Sequence, residues 1–198
     1  MLLADSALPH PFEVMAMKAM TVVVLFLLLL APPAVSQVPD DKLIVPGQRI
    51  GKWTLEMTID TVLQMNGPRN IPRGIPGTPL DRMRAYFADS NDEIWWHWWA
   101  DLGFSAATRG RDVQRIEYIF TDNGDFKTDK GVIPEVTTRE AVESAYGRPT
   151  VVTRAGPVAG RVRLIYDEIG LAVIVRPDGM ARFVFVFRPG TARTLWNF

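Results

Sequence analysis

One stretch of this chain occurs twice, and that limits what it can fold into. Gly51, Thr58, Val62 and Gly67 recur as Gly131, Thr138, Val142 and Gly147, always 80 positions later. Farther along, Trp99-Ala100-Asp101-Leu102-Gly103-Phe104 lies over Tyr166-Asp167-Glu168-Ile169-Gly170-Leu171 at an offset of 67. At the same offset, Ile116, Tyr118 and Phe120 lie over Phe183, Phe185 and Phe187. Two constant offsets in two blocks predict an internal duplication, with one repeat over 43–121 and a second over 128–190.

Each repeat opens on a short helix. Thr58 is placed to cap the first, Asp60 meets the positive end of its dipole, and Ile59, Val62, Leu63 and Asn66 share one face. Gly67 then caps the C-terminus and Pro68 stops it. In the second, Thr137-Thr138-Arg139-Glu140 has the form of a capping box, Ala141, Val142 and Ala145 make the apolar stripe, and Gly147 with Pro149 ends it. Helices this short must dock on something to persist. Segments with strand character follow: 83–88, 94–100, 104–108 and 113–120 in the first repeat, and 151–154, 161–166, 171–176 and 181–187 in the second. Asp122-Asn123-Gly124 and Pro177-Asp178-Gly179 read as tight turns between strands. The expected fold is therefore α+β: two tandem repeats, each a short helix packed on a small antiparallel β-sheet. Side by side, they would form a paired or continuous sheet of roughly six to eight strands.

The difference between the two offsets places a 13-residue insertion in the first repeat, at Pro68–Asp81, a stretch with four prolines and two glycines. It reads as a loop. A loop that interrupts a repeat on one side either carries binding, with Arg69, Asn70 and Arg73 as rim residues, or is passively tolerated.

Before the repeats, Thr21–Ala31 is an unbroken apolar run behind Lys18, followed by Ala34-Val35-Ser36. Residues 1–36 have the form of a secretory signal peptide cleaved after Ser36, with translation starting at Met1, Met15 or Met17. The run falls short of the ~20 apolar residues of a membrane span. The expected location is the periplasm or the extracellular medium, with membrane contact only through the leader. There is no cysteine, which excludes a lipid-attachment cysteine, disulfides, thiol catalysis and cysteine metal sites. Losing Lys18, Asp5 and Glu13 with the leader leaves 21 basic and 20 acidic residues. No basic excess points to nucleic acid.

Ile94-Trp95-Trp96-His97-Trp98-Trp99 is the most unusual local run. In a strand its residues alternate between faces. By the duplication, Trp95, His97 and Trp99 match Val162, Leu164 and Tyr166, which assigns that face to the helix side. Ile94, Trp96 and Trp98 match Arg161, Arg163 and Ile165, a more polar set. Trp96 and Trp98, joined by Arg84 and Tyr86 if alternation holds from Met83, are then the candidate binding face. The competing reading is that these rings cover the second face of the sheet or the seam between repeats.

His97 is the lone histidine after the leader, so no histidine metal site can form, and no acidic run has calcium-loop spacing. The serines lack a nucleophile-elbow context, and the glycines sit at turns rather than in a phosphate loop. No catalytic residue, metal or cofactor is expected.

A helix closing on Gly67-Pro68 or Gly147-Arg148-Pro149, then the Trp99–Phe104 and Tyr166–Leu171 segments and a final strand, resembles the small α/β units of the SmpA/OmlA (BamE-like) outer-membrane assembly lipoproteins. In duplicate it also resembles the β-lactamase-inhibitory protein fold. Val62, Gly67, Pro68, Trp99, Leu102 and Gly103 and their repeat partners carry the resemblance, and the lipobox cysteine of the first family is absent. It implies binding of another protein, not catalysis. The leading expectation is a non-enzymatic exported protein that engages an envelope or secreted protein through an open sheet face. Small-ligand or carbohydrate binding at Trp96 and Trp98 is the alternative. A hydrolase using Asp92 or Glu93 with His97 is a third.

Overall fold

The computed structural model describes residues 40–67, 94–99, 102–109, 113–156, 158–196 and 198, apart from the side chains at 40 and 95. In chain order the elements are β1 (Leu43–Val45), β2 (Arg49–Ile50), β3 (Trp53–Thr54), α1 (Ile59–Asn66), β4 (Ile94–Trp99), β5 (Phe104–Arg109) and β6 (Ile116–Thr121). Then come β7 (Lys127–Thr128), α2 (Arg139–Tyr146), β8 (Val151–Arg154), β9 (Val162–Tyr166), β10 (Leu171–Val175), β11 (Ala181–Phe187) and α3 (Ala192–Trp196). The fold is α+β. The leader, the insertion and the expected strand at 83–88 lie outside the described residues.

The two helices are built alike, as their sequences predict. Thr58 accepts from the Thr61 amide and Thr138 from the Ala141 amide. Gly67 and Gly147 close them at φ 74° and 79°, each donating its N–H to the carbonyl four residues back. Both pack on one face of the main sheet through Val62 and Val142. Two details differ from expectation. Thr138, not Thr137, is the cap, so the box with Glu140 does not form; the Thr137 hydroxyl instead accepts from the Ile133 amide. Ala141 faces solvent, and Tyr146 takes its place beside Val142 and Ala145 against the core.

The main sheet is continuous and antiparallel, in the order β4-β5-β6-β11-β10-β9-β8. The last strands of the two halves pair at its centre, with Phe120 opposite Phe185 and Tyr118 opposite Phe187. A smaller sheet, β3-β2-β1-β7, carries Ile44, Ile50 and Trp53 to the helix-side core. Asp122-Asn123-Gly124 does not join paired strands; it leads from β6 into the smaller sheet.

The register corrects the offset of the final strands. A bulge interrupts the β5–β6 pairing at Ala107/Thr108 and the β10–β11 pairing at Ile174/Val175, 67 positions apart. Beyond the bulges, Thr108 faces Ile116 and Val175 faces Ala181. Thr58 bridges Arg115, and Thr138 bridges Met180. Ile116 therefore stands where Ala181 stands, Tyr118 where Phe183 stands and Phe120 where Phe185 stands, an offset of 65 rather than 67. The slip is even, so strand alternation conceals it. Glu117 and Arg182 are the bulged residues. Each turns the strand so that Ile116 and Ala181 enter the helix-side core while Tyr118 and Phe183 face the other way.

The second face carries its own core. Phe120, Phe183, Phe185 and Phe187 line it, and α3 lays Leu195 and Trp196 across it. The Trp196 ring meets Phe187 edge-on, with centroids 5.0 Å apart. Among the described residues no helix is long and apolar enough to cross a membrane.

Candidate functional site

The structure closes the aromatic face proposed from sequence. Trp96 is 8% exposed and its indole N–H donates to the Tyr118 hydroxyl. Trp98 is half-buried, edge-on to Phe120 at 6.2 Å. The central strands of a seven-stranded sheet bring phenylalanines to the same face, and no local stretch of sequence contains that information. The arginines taken as markers of a polar face are buried too. Arg161 is 7% exposed and Arg163 is fully buried, its guanidinium 4.9 Å above the Trp196 ring. Burial pushes the neighbouring Tyr118 hydroxyl far above its ordinary pKa. Arg84, Tyr86, Arg69, Asn70 and Arg73 lie outside the described residues, as do Asp92 and Glu93.

On the opposite face Trp99 stacks on Phe104, and Phe104 on Trp53, with centroids 4.9 and 3.6 Å apart. His97 is 3% exposed, its Nε2 3.0 Å from the Thr108 hydroxyl. It is a core histidine held by a threonine. No group of three or more His, Asp or Glu side chains suited to a metal occurs among the described residues.

A charged cluster ties the second half together. Arg182, the bulged residue of β11, bonds Glu135 and lies 3.2 Å from Asp122, while Arg176 joins Glu135 and Asp178, each at 3.0 Å. Burial raises the Asp122 pKa, against the lowering effect of Arg182. Glu135 sits at φ 63°, and its amide donates to the Ala181 carbonyl. These contacts hold the loop before α2 against the β10–β11 turn.

A recess among the described residues lies along β8. Strand β8 pairs only with β9, so among the described residues its other side is a sheet edge. An open groove of about 790 Å³ runs beside it, with Arg139 and Glu143 of α2 on one side and Arg148, Thr150 and Val152 on the other. Orientation follows from the ladder. The Ala155 amide donates to the Arg161 carbonyl, in the same register that pairs Thr153 with Arg163 and Val151 with Ile165. Bonded pairs alternate in an antiparallel ladder, so the backbone groups of Val152 and Arg154 point away from β9. Val151 packs into the second core. Val152 therefore faces the helix side, where it is 46% exposed.

Arg139 is held by Glu143 one helical turn on, at 2.8 Å. Beneath them Tyr166 packs on Tyr146 with ring centroids 5.7 Å apart; burial, with the Glu143 charge nearby, pushes its hydroxyl up to about 12. Arg148 is exposed and pairs with no described residue. The sequence reading placed β8 correctly but had no means of marking it as an edge, because edge position is set by which strand lacks a second neighbour.

No family model matches the sequence, and no curated protein is significantly similar. Among solved structures, the chain is similar to a DUF4309 family protein, YjgB, from Bacillus subtilis, with a TM-score of 0.43 and 15% identity over 72% of this chain and 88% of that one.

Proposed function

We propose that this chain is an exported, non-enzymatic binding protein that engages another envelope or secreted protein. The leader-like sequence at 1–36 supports export. The contact surface is the free edge of β8, not the sheet face, since both faces of the sheet are filled by core side chains. One observation carries the reading. Val152 combines outward backbone groups with an exposed apolar side chain, beside a groove walled by α2. Unpaired strand edges of this kind are ordinarily shielded by charge, proline or a covering element, and they accept a partner strand when they are not.

Site-specific photocrosslinking in the envelope fraction tests this. A photoreactive residue at position 152 is expected to give a discrete adduct with another protein. The same residue at position 56, where the Glu56 side chain is 87% exposed, is expected to give none. Adducts at neither position, or equal diffuse labelling at both, would remove the β8 edge as the contact surface.

A further inference from the structure

Two Asn-Gly dipeptides occur in the chain, Asn66-Gly67 and Asn123-Gly124. The fold treats them oppositely. We infer that Asn123 is a site of spontaneous covalent modification, while Asn66 is protected. The reaction is attack of the Gly124 amide nitrogen on Cγ of the Asn123 side chain. A bond forms between that nitrogen and Cγ, the Cγ–Nδ2 bond breaks, and the amide proton leaves with Nδ2 as ammonia. The product is a cyclic imide. Water then opens it at Cγ to give aspartate, or at the main-chain carbonyl to give isoaspartate. Water is the sole co-reactant.

The attack needs an unobstructed approach, an amide free to lose its proton and an electrophilic Cγ. Gly124 has no side chain and is exposed. Asn123 opens a turn in which its carbonyl accepts from the Phe126 amide at 3.2 Å. The Asp125 amide donates to Asn123 Oδ1 at 2.9 Å. That bond folds the side chain over its own turn and draws electron density from Cγ. The Gly124 amide donates to no group among the described residues.

At Asn66 these conditions are reversed. The Gly67 amide donates to the Leu63 carbonyl and Asn66 Nδ2 to the Val62 carbonyl, both at 2.8 Å. The attacking nitrogen and the leaving group are both held at the end of α1. Asp178-Gly179 shares the turn of Asn123, with the Met180 amide donating to Asp178 Oδ1 at 3.1 Å. There the Gly179 amide is taken by the Arg176 carbonyl at 2.9 Å, and the Asp178 carboxylate pairs with Arg176. An ionised carboxylate is a poor electrophile.

The modification falls on a tie between the two sheets. Asn123 follows β6 of the main sheet and precedes β7, which pairs with β1 in the smaller one. Isoaspartate lengthens the main chain there by a methylene. Either product adds a negative charge next to Asp122, whose carboxylate lies 3.2 Å from Arg182.

The test is incubation of the purified, folded chain at mildly alkaline pH, followed by trypsin and mass spectrometry. The two sites fall in the tryptic peptides 116–127 and 53–69. Peptide 116–127 is expected to become about 1 Da heavier and to accept methyl groups from an isoaspartyl methyltransferase. Peptide 53–69 is expected to change roughly tenfold more slowly, or less, because two hydrogen bonds must open first. In urea the two rates should converge. Gly124→Ala, whose Cβ would lie 3.4 Å from the Pro134 carbonyl oxygen, is expected to slow the gain severalfold, with thermal melts checking its fold. The aged chain is expected to melt below the fresh one. Equal rates at the two sites in the folded chain would overturn the protection of Asn66. A gain at 116–127 in urea alone would overturn Asn123 as a site in the native protein. A mass gain without isoaspartate would overturn the ring-closing route, and an unchanged melting temperature would overturn the link to the sheets.

Discussion

Replacing Gly170 by alanine puts a methyl carbon where the structure has no room for one. Gly170 ends the short 3₁₀ turn Asp167–Ile169 in the left-handed conformation, φ 69° and ψ 41°. A Cβ there would stand 2.1 Å from the Phe187 carbonyl oxygen and 2.8 Å from the Gly47 Cα. Both neighbours are backbone, so no side chain can swing aside. The Gly170 carbonyl also accepts from the amides of Phe187, at 3.0 Å, and Gly47, at 3.1 Å, linking β10, β11 and the β1–β2 turn. A left-handed alanine costs about 1–2 kcal/mol. Pushing β11 away weakens two buried hydrogen bonds at about 1 kcal/mol each. The alanine returns about 0.4–1 kcal/mol through the unfolded chain. With the overpacking strain itself, the net loss is about 3–5 kcal/mol. Gly103, in the matching position of the first half, provides the contrast. Its φ is 67°, but its Cβ would meet the side chain of Asn123, at 2.5 Å. Gly103→Ala is therefore expected to cost less, and Asn123→Gly to relieve part of that cost. Urea unfolding of Gly170→Ala, Gly103→Ala, Asn123→Gly and the Gly103→Ala, Asn123→Gly double variant, with m-values compared, reads these differences. A loss under about 1 kcal/mol for Gly170→Ala would refute the packing argument.

Trp96→Ala should lower stability by about 3–5 kcal/mol, because it empties a core site and leaves the Tyr118 hydroxyl without its donor; an unchanged melting temperature would return Trp96 to the surface. Tyr166→Phe should be neutral or stabilising by up to about 1 kcal/mol, since the Tyr166 hydroxyl is buried without a partner among the described residues. The same variant should remove the tyrosine absorbance step near 12 in an alkaline titration. The folded state holds the Asp122 proton more tightly than the unfolded chain, so this group's contribution is present below the ordinary carboxylate pKa of 3.8 and lost as pH rises through the raised value. Asp122→Asn should abolish that decline in urea stability above pH 3.8, and an unaltered pH profile would count against the burial of Asp122.

Local chemistry in the sequence determined the elements. Thr58 and Thr138 cap, Gly67 and Gly147 terminate, and local strand character marks β4, β5, β6, β8, β9, β10 and β11, because caps and pleats act over a few residues. The five-residue α3 was missed; its signal, Thr191 ahead of Leu195-Trp196, is short and aperiodic. The burial of each face was decided only by the tertiary structure. Trp96 read as exposed because its match, Arg163, and the match of Ile94, Arg161, are charged, yet all three are buried, with β6 paired to β11 and Trp196 of α3 lying under the Arg163 guanidinium. The bulges at Glu117 and Arg182 divide Ile116 from Tyr118 and Ala181 from Phe183, although the spacing within each strand looks regular. The candidate site follows the same division. Val152 was legible as a strand residue, but its place on the last strand of the described sheet and its apposition to Arg139 and Glu143 arise from pairings between segments far apart in the chain. Short-range preferences specify which residues are helical or extended. They carry no information about which strand is left without a neighbour.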